Sequence, residues 1–227
     1  MAIIATDSTR FSGVVNREYD PASGFCRDTL TYNGPAITVN VGTVVGKYYT
    51  GMTLTAGAVV GTGNGTVGSI SVASSAFTEI GVYQIRMTAA TTFTVNSPRG
   101  SVIGTGATGT AFSQNGLTFT VTAGGTAFVA GDMIPLTVTG TVKVKPVVAT
   151  ATDGSQNAVG VIIADVMGLS KPQTPTLNTD TPMLALTRGP VIVEKGGLQF
   201  DASITGNFLT VAYAQLTALG IIPETTN

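Results

Sequence analysis

Between residues 51 and 140 the chain is nearly free of charge and is built from short runs in which apolar and polar residues alternate: SISV, VYQIRM, FTV, LTFTV and IPLTV. A period of two places successive side chains on opposite faces of an extended strand, so each run reads as a strand with one buried and one wet face. Tyr83, Ile85 and Met87 against Val82, Gln84 and Arg86 form one such pair of faces, and Leu117, Phe119 and Val121 against threonines form another. Turns separate the runs at intervals of roughly 8 to 15 residues, a spacing that suits an all-β sandwich or small barrel. These aromatic and aliphatic residues are expected in a core, not at a ligand site.

The flanking sequence has a different texture. Residues 1–28 are polar and mixed and show neither helical nor strand periodicity, so they read either as a flexible N-terminal arm that orders on a partner or as an ordinary frayed terminus. Its larger side chains are Phe11, Arg17, Tyr19, Phe25 and Arg27. Strand patterns begin at Thr29 with TLTY, AITVNV and GTVVGKYY, and resume after Gly140 with TVKVKPVV, whose lysines alternate. The polar turn DGSQN then runs straight into AVGVIIADV, and PMLALTRGPVIVEKGGLQF reads as two strands around an Arg-Gly-Pro bend followed by a Gly-Gly turn. The last element reads as the one substantial helix. Asn207 is its expected N-cap, Phe208, Val211, Ala212, Leu216 and Leu219 share a face, and Gly220 stops it. That face packs either on its own sheet or on a neighbouring subunit.

Chemistry is thinly represented. The chain has no histidine, which removes the commonest general base and metal ligand and excludes Ser-His and Cys-His nucleophiles. The lone Cys26 has no partner for an internal disulfide and reads as a half-buried small side chain, consistent with synthesis in a reducing cytoplasm. GNGTVG (63–68) and GTGATG (104–109) match a dinucleotide fingerprint, but strand-like sequence follows each instead of a helix, and both are read as turns. Asp153 opens a stretch that lacks the glycine and the bidentate glutamate of a calcium loop. The net charge of −1, without a basic cluster, gives no footprint for nucleic acid. The longest apolar stretch, AVGVIIA, is far too short to span a membrane, and MAIIATDSTRF lacks the basic start of a secretory signal. The expectation is a protein that is not an enzyme, with no catalytic residues, metal or cofactor, and with neither nucleic acid nor membrane as partner.

Four stretches outside residues 51–140 carry a resemblance: GTVVGK (42–47), DGSQNAVGVIIADV (153–166), LTRGPVIV (186–193) and QLTALGII (215–222). In this order they resemble the lambda-type head decoration proteins of tailed bacteriophages, through the chain up to residue 50 and nearly all of it after residue 140. The resemblance implies a mainly β fold: a small β-rich domain with a C-terminal helix, in which the DGSQ turn starts the central strand. It also implies a structural role, as a homotrimer at local threefold positions on the outer surface of the expanded head. There the protein would bind the major capsid protein and stabilise the shell against internal DNA pressure. Such a protein is made in the host bacterial cytoplasm and resides in the virion.

Family members pass almost directly from the GTVVGK-like strand to the DGSQ-like turn, through a short link that TGTVKVKP resembles. Residues 51–140 are therefore expected to be an inserted β-sandwich, similar to the immunoglobulin-like domains of larger phage decoration and tail proteins, interrupting a core of residues 29–50 and 141–227. Residues 1–28, through Phe11, Arg17, Tyr19, Phe25 and Arg27, are expected to order on the capsid by adding a strand to an exposed edge. Two alternatives remain: a virion surface module whose insert binds host-surface glycans or a receptor, and a tail or baseplate component.

Overall fold

The structure, a computed structural model, describes residues 11–165 and 175–225. It is mainly β. In chain order the strands are β1 (Val15–Glu18), β2 (Arg27–Tyr32), β3 (Val44–Ala56), β4 (Thr66–Val72), β5 (Gly81–Met87), β6 (Thr92–Asn96) and β7 (Val102–Ala107). They continue with β8 (Ala111–Gln114), β9 (Leu117–Thr122), β10 (Met133–Pro146), β11 (Ala158–Asp165), β12 (Thr181–Leu186), β13 (Val191–Glu194) and β14 (Ile221–Glu224). Among the described residues there is one α-helix, α1 (Asn207–Ala218). The chain divides into two compact units. Tyr49–Thr141 form one, and the residues up to Tyr48 together with those from Val142 onward form the other. The long strands β3 and β10 each contribute residues to both.

In the discontinuous unit the strands close into a ring. β2 pairs with β12, β12 with β11, and β11 with β3, all antiparallel. The Val147 N–H donates to the Val44 carbonyl, and β10 returns to β2 in parallel at Val144 and Tyr32. Tyr32, Val45, Val144, Ile162, Met183 and Ala185 fill the ring. Their chain neighbours Val44, Val161, Ile163 and Leu186 point the other way, beneath a second layer made by the β1–β13–β14 sheet and α1. Strand β11 is thus covered on both faces, and this is why AVGVIIA is apolar without alternation.

The turn before β11 is tied down by short-range bonds. Asp153 Oδ1 accepts the Ser155 N–H at 3.1 Å and the Ser155 hydroxyl at 2.7 Å, and Asp153 Oδ2 takes the Lys145 ammonium at 2.6 Å. Gly154 supplies φ +105, and Gly46 in β3 leaves room for the turn: a Cβ there would lie 2.0 Å from the Ser155 carbonyl oxygen.

Two expectations are corrected here. Residues 11–28 are not a loose arm, and residues 1–10 lie outside the described residues. Phe11–Gly13 form a 3-10 turn, β1 pairs antiparallel with β13, and Val14, Val15 and Cys26 are buried in the core. The strand added by this segment goes to the chain's own sheet. In α1, Asn207 is the first helical residue, and Gly206 occupies the cap position without a side-chain bond. The helix buries Ala212 and Leu216, with Leu209, Tyr213 and Leu219 packed beside them, while Phe208 and Val211 stand 54% and 51% exposed.

The unit Tyr49–Thr141 is a sandwich of two sheets. In one, β10 lies between β3 and β5, and β6 and β7 follow β5; the other has the order β4–β9–β8. Tyr83, Ile85 and Met87 point into the core with Leu117, Phe119 and Val121, and Phe112 stacks on Phe119 at 4.9 Å between centroids. Three consecutive strands, β5, β6 and β7, are neighbours in one sheet. Gly104 and Gly106 lie within β7, not in a turn, because the Phe93 ring and the Gln114 side chain occupy the space where their Cβ atoms would be. Gly63 belongs to a loop held by the buried Asp132, whose carboxylate accepts the N–H groups of Thr62, Gly63 and Val129 at 2.9, 2.9 and 3.0 Å.

Candidate functional site

The five residues expected to meet a partner fall into two groups. Phe11 and Arg27 are half-buried: the Arg27 guanidinium sits 5.3 Å from the Phe11 ring centroid, and its Nε and Nη2 bind the Glu18 carboxylate at 2.9 and 2.6 Å. The Glu18 side chain is 4% exposed, so this pair braces the entry of β2 against the exit of β1. Arg17, Tyr19 and Phe25 lie at the surface. Arg17 stands in register with Ile192, and Ile192 with Ile222, in one row across the β1–β13–β14 sheet. Together with Tyr19, Asp20 and Pro190 they line an open groove of about 460 Å³.

Tyr19 and Phe25 meet edge to face at 6.2 Å, on a segment that reverses direction between β1 and β2. Sequence reasoning did not find the group that holds them. Arg188, in the bend before β13, lies over the Phe25 ring at 5.4 Å, donates from Nε to the Phe25 carbonyl at 2.6 Å, and binds Asp28 through Nη1 at 2.6 Å. The Thr187 hydroxyl also donates to Asp28, at 2.6 Å. That hydroxyl first, and the Arg188 guanidinium with it, hold the Asp28 carboxyl below the usual carboxylate range. Arg188 stands about 160 positions from its partners, and its local signal was the TRGP bend alone.

Cys26 lies under this patch, fully buried, with Sγ 3.7 Å from the Pro190 carbonyl and 3.8 Å from that of Tyr19. Burial first, then the Glu18 charge, push its thiol up, so it packs as a small apolar side chain and not as a nucleophile. Among the described residues no three His, Cys, Asp or Glu side chains gather as a metal site, and no helix is long and apolar enough to cross a membrane. What the arrangement offers is a pre-ordered surface: the exposed Tyr19 and Phe25, with Arg188 fixed over Phe25 by its ion pair to Asp28, beside a groove of mixed polar and apolar lining.

Compared with protein-family models the sequence matches none, and no curated protein matches it. Among solved structures, two crystal forms of FlgL from Xanthomonas campestris are similar over 48% and 50% of this chain, at 19% and 18% identity, each with a TM-score of 0.30. The match spans 34% and 32% of those FlgL chains, about a third of their length.

Proposed function

We propose that the protein is a structural decoration subunit of a bacteriophage head. In this reading it binds the major capsid protein on the outer surface of the expanded shell as a homotrimer and stabilises the shell against internal DNA pressure. The observation that carries the reading is that the four motifs behind the resemblance fold onto one another. Gly42 of the first donates its N–H to Ile162 of the second at 2.7 Å, and Ile162 returns a bond to Thr43 at 2.9 Å. Gln215 of the fourth binds the start of the second through Ala158 at 2.8 Å. Gly189 of the third donates to Leu219 of the fourth at 2.8 Å, and a Cβ on Gly189 would strike the Gly220 carbonyl at 1.8 Å. Motifs scattered over the sequence are thus the mutual contacts of one unit, as expected if they encode a shared domain.

The Tyr19, Phe25 and Arg188 surface on that unit is the capsid-facing candidate, since fixed aromatics and arginines contribute strongly at protein interfaces. A threefold assembly offers three copies of a modest contact, which add as avidity, and binding only the expanded shell stabilises it by mass action. The test is to mix the purified protein with expanded heads lacking it and image them by electron cryomicroscopy. Density in threefold sets on the outer shell is the expected result; a bare shell overturns the proposal.

A further inference from the structure

The ring of the discontinuous unit has one parallel seam, where β10 meets β2 at Val144 and Tyr32 and the Asn33 N–H donates to the Val144 carbonyl at 2.9 Å. Beside this seam Asp180 touches two nitrogens at once. Its Oδ2 takes the ammonium of Lys143, a side chain only 10% exposed, and its Oδ1 accepts the Asn33 side-chain amide at 2.7 Å. The Asn33 Nδ2 also donates to the Asn178 carbonyl at 3.2 Å, and its Oδ1 lies 3.1 Å from the Tyr48 hydroxyl, which also contacts the Asn33 backbone carbonyl. Two acceptors at the nitrogen and a hydroxyl at the oxygen fix which way the amide points.

A buried amine and a carboxamide whose oxygen faces a hydroxyl donor, both in contact with one carboxylate, supply the nucleophile, the acyl group and the proton relay of an acyl transfer. We propose that Lys143 and Asn33 form an intramolecular isopeptide bond, with Asp180 as the proton relay and Tyr48 polarising the carbonyl. Asp180 takes a proton from the Lys143 ammonium, and the freed amine attacks the Asn33 Cγ. The tetrahedral oxyanion that forms faces the Tyr48 hydroxyl. The acid proton of Asp180 passes to Nδ2, the Cγ–Nδ2 bond breaks, and the remaining proton lost by Nζ leaves with the ammonia as ammonium. Asp180 ends as a carboxylate, and neither oxidant nor co-reactant is needed. The Asp180 side chain is 55% exposed, so the leaving group departs into water.

The Lys143 hydrogen bond, first, and that of Asn33 hold the Asp180 carboxyl below its usual range, so Asp180 rests as the carboxylate that the relay requires. Once formed, it joins residues 33 and 143 across the parallel seam. It anchors β10 one residue inside the boundary at which this strand enters the unit Tyr49–Thr141. Load applied through that unit then has to stretch a covalent bond instead of peeling one strand from another.

Intact-mass spectrometry and peptide mapping of the full chain, fresh and after incubation at mildly alkaline pH, decide the matter. The expected result is a mass lower by one ammonia, with a cross-linked peptide pair containing Asn33 and Lys143. Lys143→Arg keeps the charge and should hold the full mass; Asp180→Asn should do the same, and near-native melting of either variant shows that loss of the bond is not loss of the fold. A wild-type mass that stays at its unmodified value overturns the proposal. So does ammonia loss that persists in Lys143→Arg or maps to cyclisation of Asn33 onto the Gly34 N–H, a reaction that also releases ammonia.

Discussion

Gln215 clamps the turn ahead of β11 through Asn157: its Nε2 donates to Asn157 Oδ1 at 3.0 Å, and its Oε1 accepts the Ala158 N–H at 2.8 Å. The helix therefore caps the first free N–H of the central strand. Replacing Gln215 with Ala leaves that donor partly buried and unpaired, at a cost of about 1–3 kcal/mol. The Ala158 amide should lose hydrogen-exchange protection before the rest of β11 does, and unchanged protection would show that the clamp contributes nothing.

Gly46 sits where the same turn crosses β3. A Cβ at this position would lie 2.0 Å from the Ser155 carbonyl oxygen and 2.9 Å from that of Asn157. These are backbone atoms of a turn whose Ser155 is fully buried, so the clash is not relieved by a side-chain rotation. Gly46→Ala is expected to cost about 1–3 kcal/mol or more. Gly68→Ala, at a strand position with nothing within 4 Å of the added methyl, should change stability by less than about 0.5 kcal/mol. Calorimetry on both variants makes the comparison, and equal melting shifts would refute the packing argument.

The parts legible in the sequence are those in which local pattern and tertiary burial agree. Tyr83, Ile85 and Met87 announce β5 because one sheet face is wet, and the β11 run announces burial on both faces. β1 was illegible: its four residues, VNRE, carry one buried valine, and their strand conformation comes from pairing with β13 far along the chain. In α1 the sequence offers apolar residues nearly all round, so only the packed structure shows that Ala212 and Leu216 face inward and Phe208 and Val211 outward. The site shares this limit. Phe25 and Tyr19 stand out as large side chains in a polar segment, whereas Arg188 and Asp28 gain their meaning only when the chain brings them together.

Acid should loosen this surface. Asp28 has a folded pKa below its unfolded value, because the Thr187 hydroxyl, then Arg188, favour the carboxylate. Its contribution is therefore fully present above the ordinary carboxylate value of about 4 and is lost as pH falls through the lower folded value. Asp28→Asn removes that dependence. Hydrogen exchange of residues 19–28 should accelerate in the wild type as pH falls below about 4, relative to the intrinsic rate, and the variant should show a flatter profile. Parallel profiles would place the acid sensitivity in another group.

The capsid-facing assignment makes the final prediction, because it separates binding from folding. Tyr19 and Phe25 are 61% and 47% exposed, so truncating both to Ala removes little core packing and should shift stability by no more than about 1 kcal/mol. If they anchor the interface, the same change should weaken head binding by at least about 30-fold, the equivalent of 2 kcal/mol. Arg188→Lys keeps the charge but loses the flat guanidinium that stacks on Phe25 while binding Asp28, so it should fall between the wild type and the double variant. Sedimentation with expanded heads at several protein concentrations gives the affinities. A folded double variant that binds as tightly as the wild type would move the capsid contact to another face of the unit and leave the aromatic pair as a brace of the β1–β2 connection.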